Sequence, residues 1–149
     1  MDLNVETLLN PPFAQHPPVK IAVNAKTLGA VIAVLSAITV LGLLAVGTYL
    51  ARYGGGGIVF LAVIGVVIDL VAVVVALVGG WRMYHENPEG KKFVIYSLAI
   101  GFVAQIVQGI GYYSIINTVL SLIVLLIVLA VIYYIVVLSR FPSQATQPS

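Results

Sequence analysis

The stretch that decides the fold is residues 58–80, IVFLAVIGVVIDLVAVVVALVGG. It is Val, Ile, Leu, Ala, Gly and one Phe throughout, broken by a single charged side chain, Asp69. At about 1.5 Å per residue a helix of this length crosses a hydrocarbon core of about 30 Å. The apolar residues run without the polar interruptions that would mark one buried face, so the surroundings of this helix are lipid. Asp69 stands eleven residues from either end of the stretch. At that depth an aspartate costs about 2.5–3.5 kcal/mol to insert, a cost that any account of function has to explain.

Working outward, three further runs have the same character, at 28–50, 93–113 and 118–138. Hydrophobic residues make up 61% of the 149-residue chain and charged residues 8%, against roughly a quarter charged in an ordinary soluble domain. The expectation is an all-α membrane protein with four transmembrane helices in an up-down-up-down bundle over 28–138. Before it lies a polar segment, 1–27, in which Pro11-Pro12 and Pro17-Pro18 stop any continuous helix. Leu3, Leu8 and Leu9 suit a short interfacial helix there. Residues 139–149, rich in Pro, Ser, Gln and Thr, read as a disordered tail.

Charge sets the expected orientation. With four spans, both termini and the central loop share one side, and that side holds Lys20, Lys26, Arg82, Lys91, Lys92 and Arg140, against Arg52 alone on the other. This bias predicts a multi-pass protein of the cell inner (plasma) membrane with both termini cytoplasmic. The same placement makes the net charge of +2 a matter of topology, with no nucleic-acid partner expected.

Most chemistry is disfavoured by what the chain contains. It has no cysteine, hence no disulfide, thiolate metal site or thiol nucleophile. Gly54–Gly57 follows no phosphate-binding pattern and reads as a hairpin turn. His85, Glu86 and Glu89 in the polar loop 81–92 lack the spacing of a zinc site and read as solvated charges. Both histidines lie outside the spans, away from any intramembrane cofactor. No enzyme activity, cofactor or metal is expected.

What remains is the interior of the membrane. Gly65, Asp69, Ala72, Ala76 and Gly79 recur at helical spacing, so Asp69 lies on the small-residue stripe of its helix, where another helix can approach closely. The third span carries a comparable stripe, Ser97, Gly101, Gln105, Gln108 and Tyr112. The expected cluster is Asp69 hydrogen-bonded to Gln105 or Gln108, with Thr39 of the first span as a further partner. The helix-packing positions are Gly65, Ala72, Ala76 and Gly101. The fourth span, Leu, Ile and Val over most of 122–132, offers nothing polar at that depth and is expected to face lipid or an apolar partner helix.

Two functions follow. One is a small membrane protein acting by association, as an accessory subunit of a complex or a homo-oligomer. The other is a small oligomeric transporter or channel in which Asp69 binds a proton, cation or polar solute. A binder of hydrophobic ligands is a third reading, which the residues neither support nor exclude.

Overall fold

The computed structural model describes residues 5–53, 57–112 and 115–145. Among the described residues the elements are helices, α1 (Val5–Leu9), α2 (Pro12–Gln15), α3 (Ala25–Tyr53), α4 (Gly57–Tyr84), α5 (Glu89–Tyr112), α6 (Ile115–Leu138) and α7 (Pro142–Ala145). Helices α3, α4, α5 and α6 are each long and apolar enough to cross a membrane. Residues 1–4, 54–56, 113–114 and 146–149, and with them Leu3, Gly54–Gly56 and Tyr113, lie outside the described residues.

The helices outrun the apolar runs because polar caps extend them. Asn24 Oδ1 accepts hydrogen bonds from the amides of Lys26 at 2.9 Å and Thr27 at 3.5 Å, starting α3 three residues before the first leucine. Such a cap contributes about 1 kcal/mol. Past the end of α4, Glu86 takes a left-handed conformation with φ of 60°. Its amide donates to Met83 O at 3.0 Å and that of Asn87 to Arg82 O at 2.9 Å, the paired bonds that close a helix around a left-handed residue. Asn87 then turns donor into acceptor: its Oδ1 receives the Glu89 amide at 3.0 Å and so begins α5, with Pro88 suited to the first turn. The polar loop expected at 81–92 is therefore a tight turn flanked by helix on both sides.

In lipid, apolar side chains gain little by leaving their surroundings, so helices associate where small residues let backbones touch. Helix α4 is the centre of the assembly, packing on α3 and on α5. Adjacent glycines serve the two neighbours. A Cβ on Gly80 would lie 2.7 Å from Ala33 N and 2.8 Å from Gly29 O of α3. One on Gly79 would lie 2.9 Å from Gly90 O and 2.9 Å from Phe93 Cβ of α5. Helix α6 packs only on α5 to any extent and has the least buried surface of the four spans. Leu120, Val124 and Ile127 are among its exposed side chains.

The segments flanking the spans are more ordered than their composition predicts. Phe13 stacks on Tyr134 at 5.4 Å between centroids and meets Tyr133 edge-on at 6.1 Å. Tyr133 donates its hydroxyl to Leu8 O at 2.5 Å, and Tyr134 donates to Val19 O at 2.7 Å. Two backbone bonds, Ala25 N to Arg140 O at 2.8 Å and Arg140 N to Val23 O at 3.0 Å, tie the start of α3 to the chain leaving α6. The tail expected to be disordered from residue 139 instead begins with Ser139 and Phe141 buried, followed by α7. Phe141 joins Ala25, Met83, Val94 and Val136 in the larger apolar core, at this end of the molecule.

Candidate functional site

Asp69 is half-buried on the face of α4 that meets α5. Its position follows from the small residues on either side. A methyl group at Gly65 would overlap Cγ of Gln108 and stand 3.0 Å from its amide nitrogen, so here the two backbones nearly touch. Two turns along, Gly101 faces Ala72, with 3.8 Å between the Ala72 Cβ and the place a Gly101 Cβ would occupy. Ala72 and Ala104 are buried, and Ala76 is partly so. Between these contacts the Asp69 carboxyl is directed at α5, and the side chain that reaches it is Gln108.

That contact does not satisfy Gln108. Its Nε2 is buried with no acceptor in hydrogen-bonding geometry, an expensive state for an amide away from water. Gln108 also lines a cavity of about 250 Å³, shared with Gln105, Thr118 and Ser121 as the other polar groups and with Val46, Val66 and Leu122 among its apolar walls. The cavity draws on α3, α4, α5 and α6 and is partly open. Thr118 is pressed against α5: its Oγ1 donates to Gly109 O at 3.2 Å, and a Cβ on Gly109 would stand 2.8 Å from its Cγ2. Gln108 thus joins the carboxyl of Asp69 on one side to a polar hollow on the other.

The remaining expectations divide. Gln105 is brought to the cavity and Gln108 to both cavity and carboxyl. Thr39 is not brought in: it is exposed, and its Oγ1 donates to Leu35 O of its own helix at 2.8 Å. One turn earlier Ser36 is the buried hydroxyl of α3. The fourth span, expected to offer nothing polar at the depth of Asp69, lines the cavity with Thr118 and Ser121, which precede its apolar run over 122–132. Their spacing of three along a helix, just before the apolar run, is the signal that reading passed over.

The polar turn holds its charges in pairs. Lys26 Nζ meets Glu86 Oε1 at 3.5 Å and Arg82 meets Glu89 Oε2 at 3.3 Å. His85 Nδ1 lies 3.0 Å from Trp81 O. His85, Glu86 and Glu89 are thus engaged separately, and among the described residues no group of three potential metal ligands gathers.

Chemically, a carboxyl group, two amides and two hydroxyls in an apolar slab offer donors and acceptors to a proton, a cation, water or a small polar solute. Compared with known protein families, curated proteins and solved structures, the chain matches none.

Proposed function

We propose that this chain is a small multi-pass membrane protein that works by association, with further copies of itself or with other membrane subunits, and not by catalysis. The observation that carries the proposal is the unsealed cavity. Polar groups facing hydrocarbon are costly, yet Gln105, Gln108, Thr118 and Ser121 line a hollow that the chain's own helices leave partly open, because among the spans α6 packs chiefly on α5. A neighbouring helix laid against the exposed face of α6 and the flank of α3 closes it. The up-down-up-down arrangement belongs to the same proposal. Gly29 beside Gly80, Gly47 beside Val66 and Gly65 beside Gln108 are the contacts antiparallel neighbours make. Clustering of Lys20, Lys26, Arg82, Lys91 and Arg140 at one end supports a cytoplasmic location for both termini.

Because the chain contains no cysteine, single-cysteine variants test the association cleanly. Leu120→Cys, Val124→Cys and Ile127→Cys scan the open face of α6. Cross-linking in native membranes is expected to trap a dimer or a defined adduct from at least one position. Free monomer from all three overturns the proposal.

The second reading is a pathway, favoured by the unpartnered Nε2 of Gln108 between Asp69 and the cavity. In it, Asp69 takes up a proton or cation and the cavity passes a polar solute within an oligomer. Flux through proteoliposomes of the wild-type chain is its test.

A further inference from the structure

The end of the molecule where both flanking segments meet carries a second cavity, of about 860 Å³ and unrelated to Asp69. Its walls come from the segment between α1 and α3, from the first turn of α5, and from the chain leaving α6. Three cations line it, Lys20, Lys91 and Arg140, and no carboxylate does. Glu86 and Glu89 of the nearby turn are engaged with other cations, Lys26 and Arg82.

The fold holds Arg140 and Lys91 in place. Both backbone groups of Arg140 are hydrogen-bonded: its carbonyl accepts from Ala25 N and its amide donates to Val23 O. Lys91, partly buried, donates from Nζ to Ser139 O and lies 5.5 Å from the centre of the Phe141 ring. Lys91 and Arg140 are near enough to repel each other. A fold that holds like charges together around an open volume leaves a positive potential for an anion to neutralise. The rest of the wall mixes apolar side chains, Leu9, Ile21, Val137 and Phe141 among them, with the polar Asn10, Gln15, Asn24 and Ser139.

We propose that this cavity binds a phosphate ester carrying net negative charge, with Lys20, Lys91 and Arg140 around the phosphate oxygens. Basic pockets beside membrane helices suit anionic headgroups. The apolar side chains within the lining and the volume, far larger than phosphate itself, fit a molecule with hydrocarbon attached. The shared chemistry is the phosphate group, whose source is an anionic phospholipid or a soluble phosphate. The inference depends on the chain spanning a membrane and stands whether or not the chain associates.

The test uses the full chain, delipidated in a neutral detergent, in three arms: phosphatidylglycerol, phosphatidylcholine and inorganic phosphate. Native mass spectrometry reads retained lipid, and thermal stability reads phosphate. Phosphatidylglycerol is expected to remain bound at concentrations where phosphatidylcholine does not. The double variant Lys20→Gln with Arg140→Gln, at two exposed side chains, is expected to weaken that binding about thirtyfold, from about fivefold per basic group. Helix content by circular dichroism confirms that the variant is folded. Protection by inorganic phosphate that the double variant abolishes, without lipid retention, supports the site with a soluble source. Equal retention of both lipids with no effect of phosphate, or full retention of phosphatidylglycerol by the folded double variant, overturns it.

Discussion

Replacing Gly80 by alanine isolates the contact on which the α3–α4 pair depends. The added Cβ would stand 2.7 Å from Ala33 N, 2.8 Å from Gly29 O and 3.1 Å from Ile32 Cγ2. The two closest neighbours are backbone atoms and cannot swing aside like the end of a side chain. Ordinary contact begins at 3.4 Å, so the helices must separate by about 0.7 Å, and every small-residue contact along the seam loosens with them. Overpacking of this kind costs about 1–3 kcal/mol. Gly42 supplies the control, since a Cβ there meets nothing within 4 Å. Gly42→Ala keeps only the conformational benefit of alanine in a helix, about 0.5–1 kcal/mol. That benefit is common to both positions and cancels between them, so the two variants should differ by the overpacking cost alone, about 1–3 kcal/mol, with Gly80→Ala the less stable. Unfolding titrations from mild detergent into sodium dodecyl sulfate, followed by circular dichroism, measure that gap. Equal midpoints for the two variants would refute the close-approach argument.

Three other perturbations follow from the geometry. Asp69→Asn keeps a side chain able to bond Gln108 and should leave stability within about 1 kcal/mol of wild type, since hydrogen bonds between membrane helices average about 0.6 kcal/mol. If wild-type proteoliposomes show proton-coupled flux, this variant should abolish it, and undiminished flux would exclude Asp69 as the coupling group. Glu86→Gly relieves a left-handed residue at a cost of one part-buried ion pair to Lys26, so a net gain of up to about 1 kcal/mol is expected in the same unfolding titration. A clear loss would mean that the pair matters more than the backbone. Tyr134→Phe removes the hydroxyl that donates to Val19 O and accepts from Val19 N, and should speed hydrogen exchange around Val19 while leaving α4 unchanged. Unaltered exchange at Val19 would show that the aromatic stack on Phe13 alone holds the segment.

The spans were legible because their signal is local and redundant: each is an uninterrupted apolar run, and lipid leaves few alternatives to a helix. Their ends were less so, since Asn24 and Asn87 extend α3 and α5 through polar residues that hydropathy discounts. The spacing of Gly65, Asp69 and Ala72 pointed Asp69 toward α5, because helical period and small side chains decide which face another helix can reach. Thr39 misled because a threonine hydroxyl inside a helix has a ready acceptor in the carbonyl four residues back, here Leu35. Thr118 and Ser121 were overshadowed by the apolar run after them. The docking of Phe13 between Tyr133 and Tyr134 joins residues over a hundred positions apart. Neither composition nor period carries that information, and prolines, which end helices, say nothing of where an extended segment then lies.

The central claim is that this chain associates to close the cavity lined by Gln105, Gln108, Thr118 and Ser121. Its most direct test is the mass of the particle extracted from its own membrane in a native lipid disc, without detergent. The account predicts a particle of two or more copies, or of one copy with a stoichiometric membrane partner. A particle holding one copy of this chain and lipid alone would contradict it.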